Sequence, residues 1–226
     1  MTSVETESPA AVDTPPPPDQ RLRRALLVVI AVAVLAIGVT AGWIAGNRDT
    51  ASTVTDSSVD AGFARDMSAH HAQAVQMAGY ARDHTSDQSI KLLAYDIETA
   101  QYFELGEMQG WLDNWRLSRN SARPVMSWMA GHDHVEANGL MPGMATPAEI
   151  DKLETMTGKP LDLYFLQLML RHHQGGVLMA KYAAEHAKEP YVRNLATKMY
   201  TNQSKEIIQM ERVLRERGAS PLPAPG

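Results

Sequence analysis

FARDMSAHHAQAVQMAGYARDH, residues 63–84, and FLQLMLRHHQGGVLMAKYAAEH, residues 165–186, align without a gap at an offset of 102 positions. The match runs on, with Leu93, Ala94, Thr99, Gln101, Glu104, Met108 and Leu112 meeting Leu195, Ala196, Thr201, Gln203, Glu206, Met210 and Leu214. Between residues 63–112 and 165–214, 17 of 50 paired positions are identical, which makes the two segments copies of one unit. A solenoid needs about three or more repeats to bury a continuous core. Two copies predict a paired bundle instead.

Inside the first copy, Phe63, Met67, His70, Ala74, Met77, Ala81 and His84 recur at three- and four-residue steps and define one helical stripe. The second copy has Phe165, Met169, His172, Gly176, Met179, Ala183 and His186 in the same places. A further stripe, Ile90, Leu93, Ile97, Gln101, Glu104, Met108 and Trp111, marks a second helix, repeated as Val192 to Val213. Turns fall near residues 85–88 and 187–190, where Pro190 suits the first turn of a helix. The fold class is all-α: two helical hairpins over residues 60–217 that bury their stripes as a four-helix bundle. The crossover between them covers residues 120–160, and Pro124, Pro142 and Pro147 break helical periodicity over residues 120–147.

Upstream lies a different composition. Residues 1–24 are acidic, then proline-rich, and bury too little apolar surface to fold, which predicts a disordered tail. ALLVVIAVAVLAIGVTAGWIAG, residues 25–46, carries no charge and is long enough to cross a hydrocarbon core of about 30 Å. Arg21, Arg23 and Arg24 precede this span, so the positive-inside bias places the N-terminus in the cytoplasm and the bundle outside the cell membrane. The run exceeds the roughly 7–15 apolar residues of a cleaved signal peptide, so an uncleaved single-pass anchor in the lipid bilayer is expected. Residues 47–59 form a small, polar linker, and residues 218–226 a flexible tail.

The chain has no Cys, thirteen Met and eight His, so any soft metal ligand has to be a thioether or an imidazole. A net charge of -5 and a pI near 5.9 give no footprint for nucleic acid. No Ser-His-Asp set, phosphate-cradling Gly loop or H-E-x-x-H motif occurs, and a binding protein rather than an enzyme is expected.

His70 and Met77, like His172 and Met179, project two turns apart on one inward stripe. His71 and His173 point about 100° further round, towards a neighbouring helix. Met67 and His71, at i and i+4, can chelate one ion from one helix. Imidazole plus thioether suits copper, with Met favouring the cuprous state. Glu104 and Glu206 interrupt apolar stripes and are secondary ligand candidates. So are Met126, Met129, His132, His134, Met141 and Met144 of the crossover. The same residues allow a metal-free alternative, a structural or protein-interaction bundle whose buried His, Gln and Glu satisfy one another.

The segments MSAHHAQAVQMA, MPGMATPAEIDKL and MLRHHQGGVLMA, with Q-x-x-E-x-x-x-M in each copy, resemble the bacterial "domain of unknown function 305" family over about residues 60–215. The resemblance implies a ferritin-like helical bundle, exported or membrane-attached, with some members linked to copper binding and resistance. It carries the family motif onto Met67, His70, His71 and Met77, and onto Met169, His172, His173 and Met179. Ala72-Gln73-Ala74 departs from the Gln or Glu, Gly, Ala of the family, whereas Gln174-Gly175 keeps it. If that Gln is a ligand, the first copy is the weaker site.

Overall fold

The computed structural model describes residues 18–46, 54–130 and 135–223, all helix, turn or loop. Residues 1–17 of the expected tail, 47–53 of the linker, His132, His134 and residues 224–226 lie outside the described residues. The chain divides into two units, residues 1–51 and 52–226. In the first, α1 (Pro18–Gly46) contains the segment Asp19–Gly42, which is long enough to cross a membrane and includes an 18-residue window with a mean hydropathy of 2.7. The helix reaches back through Arg21, Arg23 and Arg24, which the sequence reading left in the tail. Arg, Leu and Gln propagate a helix well, and Pro18 has no N–H to lose in a first turn.

The second unit contains α2 (Val59–His84), α3 (Gln88–Asn114), α4 (Pro147–Leu153), α5 (Gly158–His186) and α6 (Pro190–Glu216). α2 with α3 and α5 with α6 form the two hairpins, which meet through α2 and α5. Ser58 caps α2 by accepting from Ala61 N, and Asp87 caps α3 by accepting from Ser89 N and Ile90 N. Each hairpin turn is tied to the other hairpin by a buried aspartate. Asp60 accepts from Lys188 N and Glu189 N, and Asp162 accepts from the Thr85 hydroxyl. Asp60 and Asp162 are themselves 102 positions apart, the offset at which residues 63–112 and 165–214 align.

The core lies in two halves. One gathers Phe63 and Met67 of α2, Met108 and Leu112 of α3, Met179 and Ala183 of α5, and Val192 to Met199 of α6. The other gathers Met77, Ile90 to Ile97, Phe165 to Leu170, Met210 and Leu214. The N-terminal half of α2 therefore packs with the C-terminal half of α5, so these helices run antiparallel. On every long helix the polar stripe residues fall between the two halves: His70 and His71, Gln101 and Glu104, His172 and His173, Gln203 and Glu206. The bundle has a polar waist.

Three boundaries differ from the sequence reading. Val54, placed in the linker, is 7% exposed and belongs to the core. The crossover contains the short helix α4, started by a Thr146–Glu149 capping box that the loop-like composition around it obscured. Residues 218–223, expected to be flexible, lie along the bundle: Ala219 and Leu222 pack on the core, and Gln167 Nε2 donates to Ser220 O at 2.7 Å.

Candidate functional site

His70, His71, His172 and His173 are each 0–1% exposed. The rings of His70 and His172 lie against each other at the α2–α5 contact, centroids 3.8 Å apart and tilted by 36°. His172 Nε2 donates to His70 O (3.0 Å), and His70 Nε2 donates to Pro142 O (3.1 Å) in the crossover. A carbonyl accepts only, so both imidazoles carry their proton on Nε2. His71 Nε2 reaches Glu104 Oε2 at 2.9 Å, and His173 Nε2 reaches Glu206 Oε2 at 2.7 Å, the same bond in both copies. The Nδ1 atoms of His70, His71 and His173 are buried and have no hydrogen-bond partner among the described residues.

Burial, and then the neighbouring His71, push His70 down to about 3. Burial and His173 push His71 down to about 3 as well. His172 is lowered well below the usual histidine range by burial and by His70. These rings are neutral at physiological pH, so His71 and Glu104 form a hydrogen bond rather than an ion pair. Burial, and then Glu206, raise Glu104 to about 7.

The pH dependence of the metal-free protein follows from these shifts. Between about pH 6.5 and pH 3 the unfolded chain takes up protons at His70, His71 and His172 that the native chain refuses. Their contribution is full above pH 6.5 and is lost on acidification. Glu104 opposes it, because its raised value favours the native state below about pH 4.5 and that gain is lost as pH rises through 7. Three groups outweigh one. Urea midpoints of the bundle's unfolding, followed by circular dichroism, are expected to fall steadily from pH 7.5 to pH 5; an unchanged or rising midpoint contradicts the neutral waist.

The crossover reaches the waist through glycine. Pro142 O and Gly143 N lie so close to Gly175 that a Cβ there would stand 1.8 Å from the oxygen. Opposite Gly175, at the matching position of α2, Gln73 donates to Ala145 O (2.9 Å) and accepts from Ala145 N (2.7 Å). The departure from the repeat at Gln73 and Gly175 thus has one cause: one helix grips the crossover and the other lets it in. Gly176 makes room for Gln203 Oε1, which a Cβ would approach to 2.6 Å.

The stripe methionines flank this waist, Met67 and Met179 in one core half, Met77 and Met169 in the other. Met126, Met129 and Met141 are buried with Met67 and Met179, and Met144 packs against them half-buried. Trp128 docks the same crossover, donating from Nε1 to Asp66 (2.8 Å) and lying edge-on to Phe63. His84 and His186, the last stripe histidines, are instead exposed at the helix ends, stacked on Tyr80 and Tyr182. Among the described residues, no three His, Asp or Glu side chains are grouped to hold a metal ion.

Residues 60–214 match the family described as Domain of unknown function (DUF305). The chain belongs to the DUF305 family. A DUF305 protein of Streptomyces coelicolor is 47% identical over 75% of this chain and 99% of its own, with a TM-score of 0.69. A DUF305 fragment of Deinococcus radiodurans is 30% identical over 70% of this chain and 96% of its own, with a TM-score of 0.57. CopM, solved in a Cu(I)-bound form, is 27% identical over 70% of this chain and 96% of its own, with a TM-score of 0.52. CopM has also been solved in Cu(II)- and Ag-bound forms. A comparison with curated proteins finds no match.

The sequence reading passed over the carbonyl of Pro142, since a backbone acceptor leaves no residue-type signal. It also missed the grip of Gln73, whose only trace was its mismatch with Gly175 in the repeat.

Proposed function

We propose that this DUF305 protein is a membrane-anchored, extracytoplasmic copper-binding protein for buffering or tolerance, without turnover. The observation that carries the reading is the set of buried, unpartnered Nδ1 atoms on His70, His71 and His173. Metal-ligating histidines commonly donate their other ring N–H to a carboxylate or a backbone carbonyl, which sets the tautomer and leaves the ligating nitrogen bare. Here each Nε2 is committed in that way, to Pro142 O, Glu104 or Glu206. Thioethers are the soft donors beside these imidazoles: Met67, Met77, Met169 and Met179 flank the waist in the two core halves. Imidazole and thioether together favour Cu(I).

The copper- and silver-bound forms of CopM support the choice of metal. The length and apolarity of residues 25–46 of α1, preceded in the same helix by Arg21, Arg23 and Arg24, support the anchor and its orientation. The test is titration of the detergent-solubilised full chain with Cu(I) against a chromogenic chelator. Binding tighter than micromolar is expected, and none at micromolar metal refutes the proposal.

A second reading is favoured by the hydrogen bonds themselves. Every Nε2 of the four histidines already has a partner, so the waist also satisfies a metal-free bundle. In that case chelator leaves the melting temperature unchanged and added Cu(I) does not raise it.

A further inference from the structure

We propose that the seam between α3 and α6 is a second cation site, lined by oxygen donors and suited to a small hard divalent ion. It differs from the imidazole–thioether waist in donor type and does not rest on the copper reading. A cavity of about 30 Å³ lies there, large enough for one water-sized occupant and too small for an organic ligand. Gln101 and Glu104 line it from α3, and Gln203 and Glu206 line it from α6.

Gln101 is 3% exposed, and neither its Oε1 nor its Nε2 has a partner among the described residues. Gln203 is 4% exposed, and its Oε1 is unpartnered too. A buried amide left unpaired costs about 1–3 kcal/mol, and here the deficit falls at matching positions of both copies on one cavity. The carboxylates of Glu104 and Glu206 are 16% and 27% exposed and each uses one oxygen for a histidine. No Lys or Arg is among the residues lining the cavity, so no cationic side chain offsets two carboxylates on one small space. Two carboxylates and the Gln101 amide oxygen are hard donors, the kind that Mg²⁺, Mn²⁺ and Ca²⁺ prefer, with water completing the shell.

Mn²⁺ serves as the probe, because the spin-resonance signal of the free ion disappears on binding. Chelator-treated full chain in detergent is titrated with Mn²⁺, and one equivalent is expected to bind. The double variant Glu104→Gln/Glu206→Gln, which keeps a hydrogen-bond acceptor for each histidine, is expected to lose at least tenfold in affinity. Gln101→Leu, which keeps both carboxylates, is expected to lose severalfold with an unchanged helical spectrum. Silver titration of wild type and of Gln101→Leu, which leaves both histidine–glutamate hydrogen bonds in place, reports the imidazole–thioether site, so failure of one site is distinguishable from failure of the other. The proposal is overturned if wild type leaves the free Mn²⁺ signal unchanged to millimolar concentration, the behaviour of a cavity that holds only water. It is equally overturned if the double glutamine variant binds Mn²⁺ as wild type does.

Discussion

Gly175→Ala is expected to cost at least about 3 kcal/mol, a large stability effect for a single added methyl group. The new Cβ would stand 1.8 Å from Pro142 O and 2.3 Å from Pro142 C, backbone atoms that cannot rotate away. The crossover has to lift from α5, and with it goes the acceptor that holds His70 Nε2. The double hydrogen bond from Gln73 to Ala145 resists that movement, so strain accumulates between two anchors. Gly106→Ala is the matched control. It lies in the interior of α3 with nothing within 4 Å of an added Cβ, and should be neutral or stabilise by about 0.5–1 kcal/mol. Thermal melts of both variants check the contrast, and equal midpoints would show that the crossover does not depend on bare backbone at Gly175.

The second large effect is on metal. Replacing His70, His71, His172 and His173 together by Ala is expected to abolish Cu(I) binding in the micromolar range. Single variants should grade by role: His70→Ala, His71→Ala and His173→Ala each remove an unpartnered Nδ1, whereas Glu206→Gln leaves every Nδ1 in place and alters what holds the His173 imidazole. Loss of such an outer partner commonly costs 10–100-fold, and loss of a ligand costs more. His84→Ala and His186→Ala should leave affinity unchanged, because those rings sit exposed against tyrosines at the helix ends. Copper binding that falls as far in the His84 variant as in the His70 variant would place the metal outside the waist.

Most of the helical architecture was legible because the repeat carries its own periodicity. Phe63, Met67, His70 and Met77 share an inward stripe, and the structure buries all four. The same rule misplaced His84, since a stripe extrapolated to the last turn of a helix leaves the core where the chain turns. Sequence could name Gln101, Glu104 and their partners as polar interruptions. It could not show that all four helices bring them to one level, because that depends on the antiparallel contact of α2 with α5. The crossover was least legible: its methionines read as metal donors or as core filler with equal ease. The structure buries Met126, Met129 and Met141 beside Met67, which shows where the thioethers pack. The tautomers were beyond reach of any residue pattern, because they are set by the carbonyls of Pro142 and His70.

Those tautomers give the central claim its most direct test. Long-range ¹H–¹⁵N correlation spectra of the full chain, recorded before and after one equivalent of Ag(I) as a redox-silent stand-in for Cu(I), read each ring nitrogen separately. The waist histidines are expected to show protonated Nε2 and bare Nδ1 in the metal-free protein, with Nδ1 moving on silver addition and the Nε2 protons retained. Waist spectra that do not change with silver, or Nε2 protons lost while Nδ1 stays in place, would contradict it.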